Sequence, residues 1–69
     1  MEETKKSIDY QLAYKYAETM DWHIDGDINV DYYDIIDLAA DAAMTTKLPE
    51  DVLIEAMVDY LRNELGYEV

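Results

Sequence analysis

Between Lys15 and Lys47 the chain has no lysine or arginine, yet it carries Glu18, Asp21, Asp25, Asp27, Asp31, Asp34, Asp37 and Asp41. These eight acids supply eight of the twelve excess negative charges of a 69-residue protein. Unpaired like charge at this density opposes compaction, and a carboxylate buried without a partner is costlier still. Any fold open to this chain must therefore turn most of that stretch outward and build its core from what lies between the acids.

The material for a core is present. Half of the residues are apolar (51%) and eight are aromatic, and they recur with helical periods, so the chain reads as folded rather than disordered despite its charge. Its length allows a single domain, residues 1–69, with a small core that buries only about 60% of the unfolded surface. There is no cysteine, hence no disulfide framework and no thiolate metal site. A secreted domain of this size would usually carry such staples, so the expected location is the cytoplasm. Met1-Glu2-Glu3-Thr4-Lys5-Lys6 lacks the apolar run of a signal peptide. No apolar stretch approaches the ~20 residues needed to span a bilayer. An anionic membrane would repel the surface, as would DNA or RNA; neither membrane nor direct nucleic-acid binding is expected.

The periodicity predicts a mainly α fold: a compact three-helix domain with a short β-hairpin or ordered loop between the first two helices. The first helix is expected from about Thr4 to Met20. Ile8, Leu12, Tyr16 and Met20 recur every four residues, Ala13 and Ala17 widen the stripe, Tyr10 and Tyr14 sit on its flank, and Ser7 offers a late N-cap. Asp25-Gly26 between alternating apolar residues is a hairpin signal. A two-residue turn there pairs Ile24 with Asp27 and His23 with Ile28. A three-residue turn pairs Ile24 with Ile28 and Trp22 with Val30, which fits the burial pattern better. Trp22 suits the open end of the core, or else a binding anchor.

The second helix is expected to start behind Asp31 as N-cap, with Asp34 at the third helical position. Tyr32, Ile35, Ile36, Ala39, Ala40 and Ala43 form its expected buried side. After the Thr45-Thr46-Lys47-Leu48 connection, Pro49 fits the first position of a third helix. Leu53, Ile54, Met57, Val58, Leu61 and Leu65 make its stripe, and Gly66 its stop. Tyr67 and Val69 are placed to fold back over the bundle end.

Asp31, Asp34, Asp37 and Asp41 step by three or four residues and so line one helical face. Their axial spacing of about 4.5 to 6 Å is close to that of neighbouring phosphates on a nucleic-acid strand. Ordinary surface helices alternate such acids with bases for a few tenths of a kcal/mol per pair; here no base is within reach. Capping accounts for Asp31 and Asp34 but not for Asp37 and Asp41. Tyr10, Tyr14, Tyr32, Tyr33 and Tyr60 are too many for so small a core, so some are expected outside, where tyrosine favours protein contacts.

In charge and size, though by no sequence motif, the chain resembles the small, acidic, cysteine-free inhibitors encoded by phages, among them anti-CRISPR and anti-restriction proteins that mimic DNA. The resemblance implies a phage- or mobile-element-type inhibitor that occupies a basic nucleic-acid-binding cleft of a nuclease or other DNA- or RNA-binding protein. The expected partner-binding residues are Asp25, Asp27, Asp31, Asp34, Asp37, Asp41, Tyr32 and Tyr33. The bland reading is an acidic surface that only keeps the protein soluble. A second reading is an adaptor or scaffold domain that binds through exposed tyrosines and apolar patches.

A third is a degenerate EF-hand-like calcium module over Asp21–Tyr32, with Asp21, Asp25, Gly26, Ile28 and Asn29 at loop positions 1, 5, 6, 8 and 9. Calcium needs a bidentate acid at position 12, where this chain has Tyr32, so no metal and no cofactor is expected. Nor is an enzyme: His23 is the single histidine, Ser7 the single serine, and so small a bundle has little room for a substrate pocket. Homodimerisation is open to so small a core, provided that the like-charged faces point away from the contact.

If self-repulsion is the dominant electrostatic term, added salt stabilises the fold. Thermal melts at about 10 mM and about 500 mM sodium chloride bracket the screening length of ~30 Å to a few Å. The midpoint is expected to rise; equal midpoints would show the charges too dispersed to matter.

Overall fold

The computed structural model describes residues 7–24 and 27–69, with His23, Ile24 and Asp27 described by their backbone only. The first helix, α1, spans Ile8–Glu18. Ser7 starts it: its backbone is extended and its hydroxyl accepts the Tyr10 N–H at 3.2 Å, meeting one of the four amides that a helix start leaves open. The helix thus begins later than Thr4. It also ends before Met20, at the Thr19 cap, whose hydroxyl donates to the Tyr16 carbonyl at 2.7 Å.

The chain then turns into a short antiparallel pairing of β1 (His23–Ile24) with β2 (Asp27–Ile28), in the register His23 with Ile28 and Ile24 with Asp27. This corrects two expectations. Two residues on each side are too few for a β element with stability of its own, so the hairpin is not supported as a part of the architecture. The register is also that of a two-residue turn, not the three-residue one that pairs Trp22 with Val30. The reason lies in the core. Trp22 and Val30 are both buried in it, and the indole Nε1–H of Trp22 donates to the Ala17 carbonyl at 3.0 Å. Burial against the helices holds these two side chains, not pairing across a strand. The turn residues Asp25 and Gly26 lie outside the described residues.

Helix α2 spans Tyr32–Thr46 behind a reciprocal capping box. The Asp34 N–H donates to Asp31 Oδ1 at 2.9 Å, and the Asp31 N–H to Asp34 Oδ2 at 3.1 Å. Its end is closed by Lys47 in the left-handed conformation (φ 67°), whose N–H donates to the Ala43 carbonyl at 2.9 Å. Thr46 bridges the exit: its hydroxyl donates to the Ala42 carbonyl at 2.7 Å and accepts the Leu48 N–H at 3.2 Å. Helix α3 spans Glu50–Glu64, with Pro49 as N-cap rather than first helical residue. Gly66, at φ 67°, ends it as the sequence leads one to expect. The chain then doubles back: the Tyr67 N–H donates to the Leu61 carbonyl at 2.9 Å and its hydroxyl to the Val30 carbonyl at 2.7 Å.

α3 is the middle of the molecule. It packs against both α1 and α2, whereas no Cα of α1 comes within 8 Å of one in α2. Its fully buried Leu53, Met57 and Leu61 are the bulk of the core, joined by Ile35 of α2; α1 and α2 otherwise bring alanines, Ala13, Ala17, Ala39 and Ala42. Small residues on the outer helices let the central one come close while its large side chains fill the space. The mainly α three-helix fold is therefore as expected, but two faces differ in part. On α1 the expected Ala13, Tyr16 and Ala17 pack against the core, as does Met20 just beyond the helix, and Tyr10 and Tyr14 join them, while Ile8 and Leu12 are exposed. On α2, Leu38 and Ala42 face inward where Tyr32 and Ala40 were expected.

The α1–α3 contact also holds a buried acid. Asp59, on α3, is 7% exposed and accepts a hydrogen bond from the Tyr10 hydroxyl at 2.7 Å. Tyr10 leans on Tyr14 (ring centroids 5.9 Å apart), Tyr14 meets Tyr60 edge-on at 5.6 Å, and the Tyr14 hydroxyl donates to Glu64 at 3.1 Å. Burial first, then the bond to Asp59, holds the Tyr10 phenol well above its ordinary value of 10.0. Tyr14 is raised for like reasons, burial and then Glu64.

A phenol raised in the folded state keeps its proton when the unfolded chain has lost its own. Its contribution is thus complete below about pH 10 and shrinks as pH climbs above that toward the folded-state value. Urea melts are expected to give equal stability at about pH 8 and 9 and a fall by about pH 11. Tyr10→Phe should be less stable at neutral pH by about 1–3 kcal/mol, having lost a buried bond to an acid, and its alkaline fall should be shallower. The two left-handed residues make a second, signed pair. Lys47→Gly is expected to gain about 0.5–1 kcal/mol by removing Cβ strain, and Gly66→Ala to lose about 1 kcal/mol. A Cβ at Gly66 meets nothing within 4 Å, so that loss would be backbone strain alone. Denaturant midpoints that move in the same direction would refute the assignment.

Candidate functional site

The side of α2 turned away from the core is set by the residues turned toward it. Ile35, Ala39 and Ala42 are buried against the body of the protein, so at about 100° per residue the opposite side carries Tyr33, Asp37, Ala40 and Met44. Asp34 and Asp41 lie along one flank of that ridge. All six are exposed. Tyr33 and Met44 are the most exposed large hydrophobic residues among those described, at 77% and 78%. The ridge is thus acidic along its length, with an aromatic ring near one end and a thioether at the other.

The expected site residues fall into three groups. Asp31 and Asp34 are exposed, but one oxygen of each is occupied by the capping box; they point their remaining lone pairs to solvent while holding the helix start. Asp37 and Asp41 are exposed, and among the described residues their carboxyl groups take part in no hydrogen bond or ion pair. Tyr33 stands on the ridge itself. Tyr32 is about half exposed on the side toward α3, so the two neighbouring tyrosines serve different faces. Of the turn acids, Asp25 lies outside the described residues, and only the backbone of Asp27, in β2, is described.

Two further parts of this surface are not apparent in the sequence. Met44 reads as a core residue by type, yet its spacing of eleven from Tyr33 puts it on the same outer ridge. Beside Tyr32, a shallow open groove of about 310 Å³ runs along α3, lined by Tyr32, Asp51, Ile54, Glu55, Val58 and Asp59. It sets two exposed acids and an apolar floor next to the N-terminal end of α2. Tyr32 of α2 thus adjoins acids of α3, on a different face from the ridge of Tyr33, Asp37 and Met44.

Chemically, the ridge presents charge and contact area, and no reactive group. Trp22 is buried in the core and is no surface anchor. Among the described residues no group of three or more histidines, aspartates or glutamates converges as metal donors, and no helix is long and apolar enough to cross a membrane. Compared with protein-family models, with curated proteins and with solved structures, the chain matches none.

Proposed function

We propose that the protein is a non-enzymatic acidic interaction module whose outer α2 ridge docks into a basic, nucleic-acid-binding cleft. In that role it acts in the cytoplasm as a phage- or mobile-element-type inhibitor, its carboxylates standing where phosphates would lie. The observation that carries this reading is the pair Asp37 and Asp41. Both are exposed one helical turn apart, neither is used by the fold, and no base is available in sequence from Lys15 to Lys47. Like charges at that spacing cost a helix a few tenths of a kcal/mol, a cost that a cationic partner reverses. Asp34 and the capping Asp31 lengthen the row, and Tyr33 and Met44 add the apolar contact that charge alone does not supply. Association would be fast and would weaken steeply with salt.

The exposure of Tyr33 and Met44 also favours a second reading, an adaptor that binds through these two side chains with acidity serving solubility only. The readings differ in what they expect from charge reversal. The double variant Asp37→Lys plus Asp41→Lys, used as bait beside the unchanged protein in bacterial lysate, should lose nucleic-acid-binding proteins from its captured set. Added duplex DNA should compete for the same proteins with the unchanged bait. On a purified captured protein the double variant should bind at least about ten-fold more weakly, or about 1.4 kcal/mol. Equal affinity and a flat salt dependence, with loss on Tyr33→Ala plus Met44→Ala instead, would replace mimicry by the adaptor.

A further inference from the structure

Charge is divided unevenly along the chain. Residues 1–17 hold three acids (Glu2, Glu3, Asp9) and three bases (Lys5, Lys6, Lys15), a net charge of zero. Residues 18–69 hold the other fourteen acids against only Lys47 and Arg62, so all twelve excess negative charges fall there. Helix α1, which ends one residue beyond this segment at Glu18 and carries Lys15 against Asp9 and Glu18, has an apolar edge, Ile8 and Leu12, left uncovered by the fold. Ile8 is 73% and Leu12 50% exposed, while Tyr16 and Met20, further along the same line, are partly buried against the core.

We propose that this edge is the contact surface of a homodimer, with α1 of a second copy lying antiparallel across it. A second copy is the occupant that the charges select. Two chains of net charge −12 repel each other, and α1, with Lys15 beside Asp9 and Glu18, is the least acidic of the three helices through which they can meet. A second exposed apolar pair, Tyr33 with Met44, is fenced by Asp34, Asp37 and Asp41, which suits a cationic partner and disfavours a like-charged one. Antiparallel packing centred on Leu12 sets Ile8 level with Tyr16 of the partner subunit. It also sets Asp9 level with Lys15 of the partner subunit, where parallel packing would align acid with acid and base with base. One such helix pair is small beside the ~1,200 Å² of a stable specific interface, so the dimer is weak and depends on concentration. Because residual repulsion between the two bodies opposes it, salt strengthens it, the reverse of docking onto a basic partner.

This inference does not rest on the proposed inhibitor role, and its test is separate. Sedimentation equilibrium of the full chain at near-millimolar concentration, in low and in high sodium chloride, should move toward the dimer mass as salt is added. Leu12→Glu, at a half-exposed position and with an unchanged circular dichroism spectrum, should weaken association at least about ten-fold. Asp37→Lys plus Asp41→Lys should leave it intact. The chain has no cysteine, so Leu12→Cys should oxidise to a covalent dimer much faster than Met44→Cys. A monomer at high salt and high concentration would overturn the proposal. So would association by Leu12→Glu equal to that of the unchanged chain, or equal cross-linking at the two cysteine positions.

Discussion

The close approach of alanine-bearing helices to α3 is the contact on which the rest of the molecule depends. Leu53, Met57 and Leu61 are wholly buried, and no other helix brings so much apolar volume. α1 and α2 both approach α3 closely, while no Cα of α1 lies within 8 Å of one in α2. The tail and the inter-helix segment then close what the helices leave open. Trp22 and Val30 fill the core beside them, and Tyr67 clasps the Val30 carbonyl. A chain this short has little surplus burial, so one central helix with two small-residue faces is an economical way to bury several large side chains at once.

Covering α3 on two sides has an electrostatic consequence. An acid on its circumference can be enclosed, as Asp59 is, and the Tyr10 hydroxyl then provides a hydrogen bond that water would otherwise supply. The outer helices, by contrast, keep half of their surface in solvent. That is where the acids of the base-free stretch reside: on α2 every aspartate is on the exposed side or at the cap. The fold thus sorts its charge, with the least acidic helix, α1, and the more acidic α2 both packed on α3. The proposed roles of the two faces follow from that sorting: an acidic ridge for a cationic cleft, an apolar edge for another copy.

Local features were readable from the residues alone. Ser7 as N-cap, the Asp31 and Asp34 pair at the start of α2, Gly66 as a stop and Trp22 as a core residue all follow from short-range chemistry, and the structure has each of them. So was the exposure of Asp34, Asp37 and Asp41 along one helical face. What misled was side-chain size. Ile8 and Leu12 belong to the larger apolar stripe of α1, yet both are exposed, while Tyr10 and Tyr14 from its flank pack on α3 beside Ala13 and Ala17. Likewise Met44 is apolar but faces outward, Asp59 is charged by type but faces inward, and the left-handed Lys47 has no glycine to announce it.

By itself, then, the sequence determined the three helices, the start of α2, the stop of α3 and the confinement of the excess negative charge to the residues from Glu18 onward. These are consequences of periodicity, capping and composition, which act within a few residues. Only the tertiary structure decided which stripe of each helix faces inward, which of the seven tyrosines remain in solvent, and that acids of α3 adjoin Tyr32 of α2. Those outcomes depend on how one helix's side chains fit the surface of another, and that complementarity exists only once the helices are packed.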